Sequence, residues 1–102
     1  MTGVQTCALP ILALDDLAQG RAFYERQQPG IGDYFLDTLF SDVEALLIHA
    51  GVHERHFGYH RALSKRFPYA IYYRLAEDEI QVWRILDCRR NPRWIRRSLV
   101  LE

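Results

Sequence analysis

Cysteine is scarce in this sequence, because only Cys7 and Cys88 occur among its 102 residues. Two cysteines can form at most one pair, and neither belongs to a CxxC motif. A scaffold of several disulfides and a four-cysteine zinc site are therefore excluded. We expect free thiols in a reducing compartment, which for this chain we take to be the cytoplasm.

Long hydrophobic runs are missing as well. No apolar segment approaches the roughly 20 residues that a helix needs to span a bilayer. The N-terminus has no basic stretch followed by an apolar one, so we expect neither a secretory signal nor a membrane partner. The chain also has no internal repeat and no low-complexity tract, and its length suits one small domain.

The formal net charge is zero, but the charges are unevenly distributed. Residues 12–57 contain eight acidic and three basic residues, whereas residues 58–102 contain five acidic and ten basic ones. Six arginines fall between Arg84 and Arg97, with Asp87 as the only acid among them. This asymmetry suggests an anionic partner for the C-terminal half. An ordinary solvated surface is the alternative reading.

The first part of the chain predicts two helices. In ALDDLAQGRAFYERQ the apolar residues recur at helical spacing, and acidic residues near the start suit the helix dipole. Pro29 and Gly30 then interrupt the pattern. The stripe of the first helix comprises Leu14, Leu17, Ala18, Ala22 and Phe23.

The second helix has the stronger pattern. Its apolar stripe comprises Ile31, Phe35, Leu39, Val43, Leu46 or Leu47, and Ala50. Steps of three and four residues are typical of an amphipathic helix, and Gly51 is a suitable C-terminal stop. Two helices joined by a short turn form an antiparallel hairpin.

The period changes after Gly51. The runs YHRALSKRF, YAIYYRL and IQVWRILDC predict three strands, the last two joined by the polar turn AEDE. Asn91 and Pro92 suit the N-cap and first position of a short closing helix. The fold class is therefore α+β, with a small antiparallel sheet and an α-helical hairpin packed on one face.

Two segments carry a resemblance to a known family. They are FYERQQPGIGDYFLDTLFSDVEALL and KRFPYAIYYRLAEDEIQVWRILDCRRNP. Together they resemble the toxin component of RelE/ParE-type (type II) toxin–antitoxin pairs, over about Leu12 to Leu99. The resemblance implies a sheet and helical hairpin in the order strand, helix, helix, three strands. It also implies a cytoplasmic toxin held in a hetero-oligomer by a cognate antitoxin.

The position of that family's first strand is occupied here by MTGVQTCALPI. This string resembles the in-frame translation of a common sequencing-library adapter. We therefore expect residues 1–11 to be an assembly artefact, with the native first strand missing or replaced. Residues 12–102 would then be the toxin domain. A genuine, unusual N-terminal strand is the alternative.

The resemblance leaves two activities open. One branch of the family cleaves messenger RNA on the ribosome, and the ParE-like branch inhibits DNA gyrase. In the ribonuclease branch an arginine follows the tyrosine of the middle strand, whereas here Ala70 follows Tyr69. That branch also often places a tyrosine or histidine near its C-terminus, and RRNPRWIRR has neither. The resemblance therefore favours a gyrase inhibitor without cofactor.

Two alternatives remain, a ribosome-dependent mRNA endoribonuclease and an inactive antitoxin-binding relic. If the protein is a ribonuclease, the candidate catalytic residues are Arg61, Lys65 and Arg90, since basic groups stabilise the charge that builds at phosphorus.

Binding of the target or the antitoxin is predicted for five residues near the C-terminus, because arginine suits carboxylate pairing and tryptophan is frequent at interface hot spots. They are Arg84, Arg89, Arg90, Arg93 and Trp94. Trp94 could instead anchor the last helix to the sheet, and Arg84 could belong to a solvated strand face.

Four histidines are spaced by four, three and four residues, which would place them on one face of a continuous helix. They are His49, His53, His56 and His60. Gly51 and Gly58 interrupt the run, so we expect polar loop residues and no metal site. Glu25 is expected to pair with Arg21 or Arg26 on the surface.

Overall fold

Three helices and five strands make up residues 6–100, the part of the chain that the computed structural model describes. In chain order they are β1 (Thr6–Ala8), α1 (Ile11–Gln27), α2 (Ile31–His49), β2 (Arg55–His56), β3 (Tyr59–Leu63), β4 (Tyr69–Ala76), β5 (Glu79–Asp87) and α3 (Pro92–Val100). The strands form one sheet in the order β1-β5-β4-β3-β2. The α+β class, the helical hairpin on the sheet and the short C-terminal helix are confirmed.

The sheet is mixed, because β1 pairs in parallel with β5 while all other strand pairs are antiparallel. β1 is only three residues long, with Cys7 opposite Ile80. It precedes α1 in the chain, as the first strand does in the order that the family resemblance implies. The adapter origin of residues 1–11 stays a prediction, and residues 1–5 of that segment lie outside the described part of the chain.

The helical hairpin covers one face of the sheet and forms what we call the hairpin-face core. The predicted stripe of α2 is confirmed at Phe35, Leu39, Val43 and Leu46, which are buried, whereas Ile31 is only half-buried. These residues pack against the inward side chains of β4 and β5. The fully buried members of this core include Phe35, Leu39, Ile71, Tyr73, Ile80 and Ile85.

The stripe predicted for α1 is wrong except at Leu17, because Leu14 and Phe23 are 46% and 40% exposed and Ala18 and Ala22 are exposed as well. The buried side of α1 carries Ala13, Asp16, Leu17 and Gly20 instead. Small residues let α1 approach its neighbours closely. A Cβ at Gly20 would lie 2.5 Å from the Phe35 ring.

Glu25 hydrogen-bonds to the N-terminus of α2, a role that differs from the predicted surface ion pair. Its carboxylate accepts hydrogen bonds from the backbone N–H groups of Gly30 at 3.1 Å and Gly32 at 2.9 Å. These groups belong to the N-terminus of α2, where backbone donors lack intrahelical partners. The expected partner Arg21 pairs with Asp33 at 2.8 Å instead.

The second face of the sheet carries α3. Asn91 is its N-cap as predicted, since its Oδ1 accepts a hydrogen bond from the Arg93 N–H at 2.7 Å. The buried residues on this side form what we call the α3-face cluster: Ala70, Tyr72, Leu86, Ile95 and Leu99. The two faces of the sheet therefore differ in size, with the larger core under the helical hairpin.

A β-bulge interrupts β5 at the centre of the sheet. Tyr72 pairs with Arg84, but the next residue, Tyr73, pairs with Val82, so Trp83 has no partner on β4. A bulge changes the alternation of side chains along a strand. The alternative of a solvated strand face for Arg84 is wrong, because only 9% of the residue is exposed.

Candidate functional site

A groove lies between α1 and α3, where the edges of both helices meet β5. Its volume is about 620 Å³. We call it the α1–α3 groove. The residues that matter for its chemistry are Asp16, Phe23, Arg26, Tyr69, Arg84, Asp87, Arg90 and Trp94.

A buried ion pair forms one wall of this groove. The Asp16 carboxylate accepts hydrogen bonds from Arg84 Nε at 2.8 Å and from Arg84 Nη2 at 2.9 Å. It also accepts the backbone N–H of Ile85 at 3.0 Å. Asp16 is 7% exposed, so both charges are desolvated and depend on each other. The hydrogen bond to Asp16 raises the pKa of Arg84 above its ordinary value, although burial opposes the shift.

Trp83 and Arg84, the residues at the bulge, form hydrogen bonds with the C-terminal end of α3. Arg84 Nη1 donates to the Ser98 carbonyl at 2.9 Å, and Trp83 Nε1 donates to the Leu99 carbonyl at 2.7 Å. Carbonyl groups in the last turn of a helix lack intrahelical hydrogen-bond donors. The side chains of Trp83 and Arg84 donate to two of these carbonyls. Because Nε, Nη1 and Nη2 of Arg84 are all engaged within the chain, this residue positions the groove. A role of Arg84 in partner binding stays a prediction.

Arg90 and Trp94 form a stacked pair at the groove. The Arg90 guanidinium carbon lies 3.8 Å from the centre of the Trp94 ring, which is within cation–π range. Trp94 is half-buried and also packs against the α3-face cluster. It therefore anchors α3 and holds Arg90 at the same time, and binding of a partner by either residue stays a prediction.

Arg89 is paired with Asp87 beside the groove. Arg89 Nη2 lies 2.8 Å from Asp87 Oδ2, and the Arg89 backbone N–H donates to Asp87 Oδ1 at 2.8 Å. Burial alone would raise the pKa of Asp87, but the hydrogen bonds from Arg89 lower it below its ordinary value. Burial also raises the pKa of Tyr69 in the groove to about 12. Arg93 is exposed on α3, and its binding role likewise stays a prediction.

The structure does not bring the three ribonuclease candidates into one groove. Arg90 lines the α1–α3 groove. Lys65 lines a second groove, of about 190 Å³, between α2 and β3. Arg61 lies on β3 opposite Tyr72, whose side chain belongs to the α3-face cluster. A catalytic role for these residues stays a prediction.

Two of the four histidines, His53 in the loop after α2 and His60 on β3, form a hydrogen-bonded cluster around Tyr73. The prediction of loop residues is wrong for His49, His56 and His60, which lie in α2, β2 and β3. The Tyr73 hydroxyl accepts the Gly51 N–H at 2.9 Å and lies 2.5 Å from His53 Nδ1. His60 Nδ1 bonds the His53 carbonyl at 2.9 Å. Burial, together with nearby His60 and His49, lowers the pKa of His53. Across residues 6–100 no group of three or more His, Cys, Asp or Glu residues could hold a metal ion.

Several groove residues were missed by sequence reasoning. Arg26 and Phe23 were taken as ordinary helix residues, and Asp16 was assigned to the helix dipole. The spacing of Ala13, Asp16, Leu17 and Gly20 is itself helical, so an acid on a buried stripe is a signal that could have found Asp16. In the part of the chain that is described, no helix is both long and apolar enough to cross a membrane.

Comparison with known proteins gives a match of structure only. No protein-family profile matches the sequence, and no curated protein matches it. A chain from the structure of the chromosomal ParDE TA system from P. aeruginosa superposes with a TM-score of 0.70. The two chains are 20% identical, and the alignment covers 80% of this chain and 92% of that chain. The likeness establishes a shared fold.

Proposed function

We propose that this protein is the toxin of a type II toxin–antitoxin pair, of the ParE-like branch. In this proposal the toxin binds and inhibits DNA gyrase in the cytoplasm, and a cognate antitoxin neutralises it. The observation that carries the proposal is the fold shared with a ParDE chain over 92% of that chain. The resemblance of the two sequence segments supports the same assignment.

The packing around Ala70 supports the gyrase-directed branch over the ribonuclease. At this position, directly after Tyr69, the ribonuclease branch has an arginine according to the family resemblance. Ala70 is 0% exposed and packs with Tyr72 and Leu86 under α3. A long cationic side chain at this place would lie among buried apolar groups, which disfavours a charge. Lys65 and Arg90 also line separate grooves, so these two candidates would not act on one phosphodiester.

A supercoiling assay with purified gyrase tests the proposal. The full chain should inhibit supercoiling, and the co-purified antitoxin should restore it. The double variant Arg90→Gln/Arg93→Gln should lose inhibition, because it removes exposed predicted recognition groups. The matched variant Arg61→Gln/Lys65→Gln removes the same charge elsewhere and should retain inhibition.

Primer-extension mapping of translated messages covers the ribonuclease alternative. If the full chain cleaves messages and the variant Arg61→Gln/Lys65→Gln does not, the gyrase assignment is overturned in favour of a ribonuclease. Antitoxin binding without either activity would identify an inactive relic and overturn the toxin assignment.

A further inference from the structure

The groove between α2 and β3, which we call the α2–β3 groove, contains a buried carboxylate. Its volume is about 190 Å³, and Asp42, which is 9% exposed, lines it. Within residues 6–100 no lysine, arginine or histidine lies at ion-pair distance from Asp42. Burial of a carboxylate without a cation is costly, because the charge loses part of its hydration. The groove therefore carries a negative charge that no described residue pairs.

The two oxygens of the Asp42 carboxylate have different surroundings. Oδ2 accepts the Ser64 hydroxyl at 2.6 Å, and the Ser64 oxygen in turn accepts the Phe67 N–H at 3.4 Å. Oδ2 is therefore engaged in holding the loop after β3. Oδ1 has no hydrogen-bond partner within residues 6–100 and, unlike the Tyr24 hydroxyl, is not sealed from solvent. One carboxylate oxygen is thus open to a donor that enters the groove.

Most of the remaining lining is apolar. Val52 and Leu63 line the groove and are 77% and 58% exposed, which leaves them free to contact an aliphatic chain. Ala45 and Ala62 are small and leave room for that chain. Burial, together with neighbouring histidines, lowers the pKa of His53, so this imidazole is uncharged at neutral pH and does not repel a cation.

We propose that the α2–β3 groove binds the ammonium end of an aliphatic amine. The ammonium donates to Asp42 Oδ1, and the methylene chain that follows it contacts Val52 and Leu63. A free diamine and the lysine side chain of another protein present this same group. The inference goes beyond the proposed function and does not depend on it.

An ammonium group suits the groove better than other cations do. A guanidinium pairs best with both oxygens of a carboxylate, and here Ser64 already occupies Oδ2. A metal ion needs several ligands, and among residues 6–100 no group of three or more His, Cys, Asp or Glu residues could hold one. An ammonium is a compact charge that can use a single acceptor.

Lys65 is a cation of the chain that lines the same groove. It is exposed and is not at ion-pair distance from Asp42, so it leaves the carboxylate open. A bound amine would be repelled by Lys65 and attracted by Asp42, whereas a bound anion would experience the opposite forces. Substitution of these two residues therefore distinguishes a site for amines from a site for anions.

Titration of the full chain with n-butylammonium, followed by the amide chemical shifts in NMR spectra, tests the proposal. The companion probe is n-butyrate, which has a similar chain and the opposite charge. Butylammonium should shift the amides of Asp42 and Leu63 with saturation, and butyrate should not. Asp42→Asn should weaken the binding of butylammonium by about tenfold, since it removes a charge-assisted contact. The Asn oxygen can still accept the Ser64 hydroxyl, which keeps the loop in place.

Asp37→Asn is the matched control, because Asp37 is exposed on the same helix as Asp42 but does not line the groove. Its affinity for butylammonium should stay within about twofold of the parent chain. Lys65→Gln should strengthen binding by about twofold, because it removes a like charge beside the site. Asp37 and Lys65 are exposed, so these two variants should fold even if Asp42→Asn does not.

Two further probes distinguish the sources of the amine. Cadaverine represents a free diamine, and Nα-acetyl-lysine methylamide represents a lysine side chain in a protein. Both should bind with the same dependence on Asp42, and the tighter of the two identifies the source. Either order supports the chemistry of the groove.

Three outcomes would overturn the inference. Equal weakening by Asp42→Asn and Asp37→Asn would indicate diffuse attraction to an acidic surface. Weaker binding of butylammonium by Lys65→Gln would contradict the expected repulsion. Saturable binding of butyrate that Lys65→Gln abolishes would identify a site for anions. Gyrase inhibition by a chain that does not bind butylammonium overturns this inference alone and leaves the proposed function intact.

Discussion

The two faces of the sheet are held together by different physical means. The hairpin-face core is built from large apolar side chains with near-zero exposure, including Phe35, Leu39 and Tyr73. The α3 face has a smaller cluster and relies in addition on directed hydrogen bonds from Trp83 and Arg84 to the end of the helix. The hairpin face thus provides stability, whereas the polar contacts of the α3 face determine where the helix and the candidate groove lie.

The largest effect is expected from Phe35→Ala. Phe35 is fully buried and packs against the rings of Tyr24, Phe67 and Tyr69. Removing a buried phenyl ring costs about 3–5 kcal/mol of unfolding free energy. Phe40→Ala on the same helix is the control, since Phe40 is 43% exposed and should cost far less. Equal losses in urea unfolding would contradict the assignment of the core to this face.

Arg84→Met should be the next largest change, at about 3 kcal/mol, because it leaves Asp16 buried without its cation. The double variant Asp16→Asn/Arg84→Met should recover most of that loss, since the Asn oxygen can still accept the Ile85 N–H. Chemical denaturation of both variants measures the difference. If the double variant is no more stable than the single one, the unpaired charge is not the cause.

Trp83→Phe should cost about 1 kcal/mol, because it removes the donor to the Leu99 carbonyl and keeps an aromatic ring. Hydrogen exchange should accelerate in the α3 amides before it does in α2. Trp94→Phe is the comparison, since the Trp94 indole N–H makes no hydrogen bond within the described residues. Equal acceleration of hydrogen exchange in the amides of α3 and α2 would show that α3 does not open separately from the rest of the fold.

The smallest effect concerns pH and the loop that His53 ties to Tyr73. The pKa of His53 is lowered on folding, so the unfolded chain binds the proton more readily than the folded chain. Stability from this group is fully present above the ordinary histidine pKa of about 6.5 and is lost as the pH falls through the lowered value. His53→Gln should reduce the fall in urea midpoint between neutral and mildly acidic pH.

His56→Gln, on the nearby strand β2, serves as the control for that experiment. Tyr73, His60 and His49 are the titratable groups around His53, so they are kept unchanged in both variants. An identical pH dependence in the parent chain and in His53→Gln would rule out His53 as the source.

Prediction from sequence succeeded where the pattern is local. The stripe of α2 was found because it repeats every three or four residues on a helix with one buried side. Asn91 was found because a cap contacts backbone only two residues away. The α1 stripe was partly wrong because Gly20, Ala13 and Asp16 do not look like core residues, although close packing and an ion pair bury that side of the helix.

The candidate groove could be foreseen only in part. Arg90 and Trp94 were identified from an arginine-rich stretch, but Arg26 and Phe23 come from α1 and reach the groove only through folding. The burial of Arg84 could not be foreseen either, since the bulge at Trp83 depends on how β5 pairs with β4. The sequence of one strand does not indicate where a bulge will shift the alternation of its side chains.

By itself the sequence determined the α+β class, the helical hairpin, the three long strands and the cap of the last helix. These features depend on residues a few positions apart, and local periodicity reports them directly. Only the tertiary structure decided that β1 joins β5 in parallel, that Glu25 caps α2, and that Asp16 and Arg84 meet. Asp16 and Arg84 are 68 residues apart in the chain, so only the packing of α1 on β5 makes them neighbours.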